Sequence, residues 1–300
     1  MEKKARFDFE IEEFHSDNES GLVQFCLKPD ARRYITAEVD GIKYYRDKYL
    51  NTLISLEEMR TQMAGLPIFR LSPSITSTPE YALRRRERVT EELKDGEYHP
   101  PAEKAAKHQD FATTETRDIA FLSVDICGAT AYRRRNPREF DRAYEVFIRE
   151  LGTLVGHFNG AILKTTGDGF IAYVDHPSFT SQCDATADLG LSLILLVKGT
   201  VNPALTSAGL RPLTVRIGGD YGPASTRKIE IPSTNYRSIE VASDALNRAV
   251  KIEESCEPGQ FRIGRELYEL LHVKWLERAT EVSFDGKSVG IDNYKVYILR

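Results

Sequence analysis

Cysteine is scarce and scattered in this chain: Cys26, Cys127, Cys183 and Cys256 lie far apart, and no C-x-x-C pair occurs. That spacing argues against a disulfide framework and a cysteine-ligated structural zinc, and it suits the reducing cytosol. Long apolar runs are lacking as well. The longest, Leu189 to Val197, is interrupted by Gly190 and Ser192, and it is about half of what a membrane-crossing helix needs. The opening Met-Glu-Lys-Lys leads into alternating acidic and aromatic residues, not into the apolar stretch of a signal peptide. Nor is there a basic excess. The formal net charge is -4, whereas a nucleic-acid polymer as main partner leaves a basic footprint. The local runs Arg84-Arg85-Arg86 and Arg133-Arg134-Arg135 read as solvated helix faces. These absences leave a cytoplasmic globular protein with no membrane and no nucleic acid among its partners. Hydrophobic residues at 41% and charged residues at 29% supply a sizeable core.

A change of composition divides the chain. From Asp95 to Arg117 run Gly96, His99-Pro100-Pro101, several lysines and a Thr-rich stretch without apolar periodicity, which reads as a linker or ordered surface arm. Before it, Ala5 to Val39 alternates as strands do. Tyr44 to Ala64 places Tyr45, Tyr49, Leu50, Leu53, Leu56, Met59 and Met63 at helical spacing, and Arg84 to Lys94 reads as a short charged helix. No catalytic motif stands out there. Residues 1–114 are therefore expected to form a small α/β extension and linker that aids dimerisation, and residues 115–300 the catalytic domain.

The second part is regular. Ile119–Val124 reads as a buried strand, and Arg138–Phe158 as an amphipathic helix ended by Gly160 in the left-handed conformation. Ala161–Thr166 and Phe170–Val174 are strands joined by Gly167-Asp168-Gly169. A helix over Thr180–Val197, a strand at Leu213–Gly218, a helix at Ser243–Glu254 and a last strand at Tyr294–Leu299 follow. Helices interleaved with hairpin strands predict an α+β fold of the ferredoxin-like kind.

Two acidic residues stand out within this pattern. Asp125 ends an apolar strand and opens the turn Ile126-Cys127-Gly128, where small residues let backbone N–H groups approach phosphate. Asp168 sits at a hairpin tip between two glycines. Each alone is ordinary turn chemistry. Together they supply the paired carboxylates of a two-metal phosphoryl-transfer site, which suits Mg2+ or Mn2+. His99, His108, His157, His176 and His272 share no spacing, and none is assigned a catalytic role.

The ordered segments Phe121–Thr130, Gly160–Phe170, Val215–Pro223 and Ser243–Lys251 resemble the successive motifs of class III adenylate and guanylate cyclases. The resemblance implies two metal ions per site on Asp125, Asp168 and the Ile126 carbonyl, with Cys127 and Gly128 beside the triphosphate. Lys164 matches the lysine that reads the base, and Asn247 the asparagine that orients the ribose. Lys251 stands where the family has an arginine on the transition-state phosphate, which keeps the charge but loses the bidentate fork. Glu240 occupies the second base-reading position, and the usual glycine before the helix is absent. The family builds its sites between two copies, so a head-to-tail homodimer is implied.

Lys164 can only donate and an ionised Glu240 only accept. Every common base offers such a complement, so hydrogen-bond logic leaves the base open. A further resemblance, to the pyrimidine cyclases of Pycsar antiphage defence, implies UTP as substrate, cyclic UMP and pyrophosphate as products, and a separate cyclic-nucleotide-responsive effector. CTP and then ATP are the alternatives. A catalytically silent nucleotide-binding dimerisation module is the rival from another class. A diguanylate-cyclase-like enzyme is less well matched, because Gly218-Gly219-Asp220-Tyr221 is the nearest run to that family's hairpin.

Overall fold

The computed structural model describes residues 4–16, 23–63, 72–105 and 116–300. The first part holds an antiparallel hairpin of β1 (Phe9–Ser16) and β2 (Val23–Pro29) and a small antiparallel sheet of β3 (Tyr34–Val39), β4 (Ile42–Asp47) and β5 (Leu53–Ser55). Helices α1 (Leu56–Met63) and α2 (Thr78–Asp95) follow. The helix expected from Tyr44 thus begins only at Leu56. Asp47 ends β4 and accepts the backbone N–H groups of Tyr49 and Leu50 at 2.8 and 3.0 Å, with Asn51 left-handed at φ 54°. An aspartate that caps its own turn competes with helix formation. Ala64 and His108 lie outside the described residues.

The second part is built on one sheet. Its frame is β6 (Thr116–Ile126), then α3 (Ala129–Arg135) and α4 (Pro137–His157), then β7 (Gly160–Thr165) and β8 (Gly169–Val174). After these, α5 (Phe179–Leu196) runs through a π-helical turn at Val197–Val201 into α6 (Asn202–Ser207) and leads to β9 (Val215–Ile231). The strand order β9-β6-β8-β7, all antiparallel, gives the split βαββαβ pattern expected. The remainder is β10 (Tyr236–Ala242), α7 (Asp244–Glu254), β11 (Phe261–Gly264), β12 (Ala279–Val282) and β13 (Val296–Leu299). β11 joins β9 in parallel, β13 and β12 extend that edge, and β10 folds back along the far half of β9. The strand expected to stop at Gly218 continues to Ile231, because residues 219–225 still pair with β6 and the polar end beyond them pairs with β10.

Both faces of the sheet are covered, and strand alternation decides what each receives. Ala120, Leu122, Val124 and Ile126 of β6 join the large core beneath α4 and α5. Ile119 and Phe121 face the other way, into a smaller cluster with Ile171, Ala245 and Ala249 under α7. Asp125, two positions beyond Ser123, belongs to that second face. The run Phe179–Ser207 is long and apolar enough to cross a membrane by length and composition, and it packs here as a core helix. The left-handed residue after α4 is Asn159 (φ 60°), not Gly160, which already begins β7. Asparagine tolerates that conformation, so the glycine is free for the strand.

The extension is tied to this sheet by buried charge. Arg33, wholly buried, reaches Asp47 at 2.7 Å and Asp8 at 2.9 Å, and Asp8 also accepts the Val273 N–H at 2.9 Å. Arg85 was expected on a solvated face, yet it is buried. Its guanidinium holds both Glu150 oxygens of α4 at 2.8 Å and Glu92 at 3.1 Å, while Arg84 beside it stays exposed. α2 turns this stripe onto α4. Residues 96–105 lie back over both helices, with the His99 carbonyl accepting from Arg85 at 2.6 Å. Arg85→Ala strands the Glu150 carboxylate in the interior, and the expected loss in urea unfolding is about 3–5 kcal/mol.

Candidate active site

Asp168 is carried on a hairpin whose turn presses against β6. The Thr166 N–H bonds the Gly169 carbonyl at 3.0 Å, and Gly167 adopts φ 91°, open to glycine at no steric cost. A Cβ on Gly169 would collide with the Val124 carbonyl oxygen. Only glycine therefore lets the turn lie beside Asp125, and the Ile126 N–H then bonds the Asp168 carbonyl at 3.2 Å. Arg133, one of the arginines assigned to a plain surface, donates to the Gly167 carbonyl at 2.6 Å and holds the turn from α3. The result is two carboxylates whose charges act on each other. Burial, and next the charge of Asp168, push the Asp125 carboxyl above the usual carboxylate range, against the pull of Arg216.

Arg216 lies directly across from Asp125 in the β6–β9 register. Its Nη2 and Nε stand 2.9 and 3.1 Å from Asp125 Oδ2, and Nε also stands 2.5 Å from Glu253 Oε1. Glu253 comes from α7, where it is buried and accepts from Ser123 Oγ at 3.3 Å. Burial chiefly, with Asp125 adding, pushes its carboxyl up to about 7 while Arg216 opposes. Sequence reasoning missed both residues. The signal available was alternation: Arg216 is the residue of β9 whose face matches that of Asp125, and Ala245, Arg248, Ala249, Ile252 and Glu253 form the buried stripe of α7. Arg248 of that stripe pairs with the fully buried Asp220, which also accepts from Tyr294 OH at 2.7 Å. Asp220 is thus committed to seating the helix.

A second group gathers in a cleft of 690 Å³ lined by Lys164, Ile171, Asn247 and Lys251 among others. Lys164 reaches it through a bulge. Ile162 pairs with Ala172 and Lys164 with Ile171, so the register shifts by one residue at Leu163. Without that shift Lys164 would point toward α4; with it, Lys164 joins the α7 face. Asp244, Asn247 and Lys251 form the adjacent stripe of α7, and Lys251 Nζ rests on Glu254 at 2.8 Å. Asp125 and Asp168 do not line this cleft. Neither does Glu240, which is exposed on β10 opposite Arg227. Cys127 and Gly128 follow Asp125 at the entrance to α3, with Gly128 at φ 71°.

Among the described residues no group of three or more His, Cys, Asp or Glu side chains could hold a metal. Two facing carboxylates nonetheless fit Mg2+ or Mn2+, which bind through one or two carboxylates and complete their shell with water and substrate phosphates. Burial first and the neighbouring Asp168 charge second disfavour an ionised Asp125, and a cation between the two carboxylates would offset that charge.

A family model described as the adenylate and guanylate cyclase catalytic domain matches residues 111–300. A cytidylate cyclase of Staphylococcus aureus is 26% identical over 204 residues, or 64% of this chain and 47% of the relative. The chain thus spans about half the length of that curated relative. Among solved structures, the guanylyl cyclase Cya2 aligns with a TM-score of 0.53 at 22% identity, over 63% of this chain and 93% of the other. The adenylyl cyclase CyaB from P. aeruginosa aligns at 0.54 and 16% identity, over 63% and 96%. These structures share the fold.

The electrostatics have a consequence that needs no substrate. Asp168→Asn removes a like charge from the face of Asp125, so the melting temperature of the protein without metal is expected to hold or rise. The stabilisation on adding Mn2+ is expected to disappear in the same variant. A fall in melting temperature with Mn2+ stabilisation intact would contradict this account of the pair.

Proposed function

We propose, for a chain that belongs to the adenylate and guanylate cyclase family, that it converts a pyrimidine nucleoside triphosphate to the 3′,5′-cyclic monophosphate and pyrophosphate. The observation that carries this reading is the facing pair Asp125 and Asp168 on a turn that only glycine can bring against β6. Two Mg2+ or Mn2+ ions on Asp125, Asp168 and the Ile126 carbonyl would lower the pKa of the attacking ribose hydroxyl and neutralise the leaving group. Cys127 and Gly128 open a turn where backbone can meet the triphosphate. Lys164 donates a hydrogen bond to the base, Asn247 orients the ribose, and Lys251 exchanges Glu254 for the phosphate at which the bond forms. Glu240 stands outside the cleft, so base reading rests on Lys164 and on the walls formed by Ile171, Leu246 and Val250.

The cleft and the aspartates are separate in one chain, which supports a homodimer in which each copy completes the other's site. In this reading residues 115–300 are the catalytic unit and residues 1–114 a supporting extension. The protein works in the cytoplasm, and its product signals to a separate effector in antiphage defence. UTP is the substrate that the pyrimidine-cyclase resemblance favours. CTP is the second reading, favoured by the cytidylate cyclase at 26% identity.

Purified protein given Mn2+ and ATP, GTP, CTP or UTP separately, with products identified by mass spectrometry, tests the reaction. Cyclic UMP or cyclic CMP is the expected product; cyclic AMP alone would remove the pyrimidine assignment, and no cyclic product would favour a silent binding module. Asp125→Ala and Asp168→Ala are each expected to abolish turnover while the dimer stays folded. Mixing inactive Asp125→Ala with inactive Asn247→Ala is expected to restore roughly a quarter of wild-type activity, since half the random dimers are mixed and each has one intact site. A mixture that stays inactive would argue against the shared site.

A further inference from the structure

We propose that Glu253 is a positioning residue for Arg216: it gives the guanidinium a second carboxylate to rest on, so that Asp125 is freed for a cation. This rests on the reading of Asp125 as a metal ligand. Arg216 occupies Asp125 Oδ2 through two N–H groups at 2.9 and 3.1 Å. Both contacts fall on Oδ2, so a cation on this carboxylate sits beside the guanidinium charge and binds more readily when the arginine gives ground. With Glu253 Oε1 at 2.5 Å from the same Nε, the guanidinium can turn off Asp125 while keeping a charged partner.

The placement of Glu253 is built, not incidental. A Cβ on Gly218 would collide with the Ala249 carbonyl oxygen and the Glu253 nitrogen, so glycine there lets α7 settle onto β9. Ser123 Oγ then donates to the other oxygen, Oε2, at 3.3 Å, which leaves Oε1 for Arg216. Glu253 and Ser123 touch neither Asp168 nor the cleft of Lys164 and Asn247. Their effect on the reaction runs through Arg216.

The test is titration of Mn2+ alone into the full chain, with free Mn2+ read by electron paramagnetic resonance. Glu253→Gln keeps the shape and removes the charge, and it is expected to weaken Mn2+ binding roughly fivefold, a size common for coupled neighbours. Ser123→Ala is expected to weaken it less, in the same direction, and serves if the buried glutamine disturbs folding. Arg216→Gln is expected to tighten binding, and in that background Glu253→Gln should have no further effect. Equal weakening with and without Arg216 would mean that Glu253 acts only by its field, and would overturn the proposal, as would no weakening at all. Asp125→Asn separates the two levels. If it leaves Mn2+ binding unchanged, the metal reading itself fails; if it abolishes binding while Glu253→Gln does nothing, only the role of Glu253 fails.

Discussion

Two carboxylates held face to face in a partly buried place are unfavourable unless something offsets them, and much of the catalytic half can be read as a response to that constraint. Asp125 cannot move, because it is part of an 11-residue strand paired on both sides. Asp168 cannot retreat, because its turn is fastened to β6 through the Ile126 N–H and to α3 through Arg133. The charge is met by Arg216 from the neighbouring strand, and the charge of Arg216 is shared with Glu253 from the helix above. Two carboxylates share one arginine here, and a third, Asp168, stands beside Asp125. The arrangement makes sense where a cation is to replace the arginine at one of them.

The helix α7 links that cluster to the cleft. Its buried stripe ends in Glu253, against the strands of the aspartates, and its adjacent stripe presents Asn247 and Lys251. Both stripes are set by one seating: Arg248 on the buried Asp220 and close backbone approach at Gly218. A small rotation of α7 would therefore alter the metal side and the substrate side together.

Much of the fold was legible because it follows from periodicity. The strand Ile119–Val124, the amphipathic helix after Arg138 and the Gly167-Asp168-Gly169 hairpin all appear within a few residues of where pattern puts them. Legibility fails where a side chain overrides local preference. Asp47 ended a run that reads as helix, and Arg85 in a run of three arginines turned inward to Glu150. The polar second half of β9 has no apolar alternation to announce it. In the site, the motifs led to Asp125, Asp168, Lys164, Asn247 and Lys251, but they gave no sign that Glu240 would sit outside the cleft, on an exposed hairpin strand. Arg216 and Glu253 were hidden for another reason: their meaning lies in cross-strand register and helix seating, which only the assembled sheet defines.

The bulge at Leu163 shows how closely the chemistry depends on such register. In a regular β7, Ala161 and Leu163 face α7 while Ile162 and Lys164 face the core under α4, where a lysine would have to bury its charge. One extra residue reverses the strand after Ile162 and delivers the lysine to the cleft. The same shift leaves the apolar side chains Ala161 and Leu163 packed under α7, so the core keeps its filling and the cleft gains its donor. The bulge thus places Lys164 in the cleft beside Asn247 and Lys251.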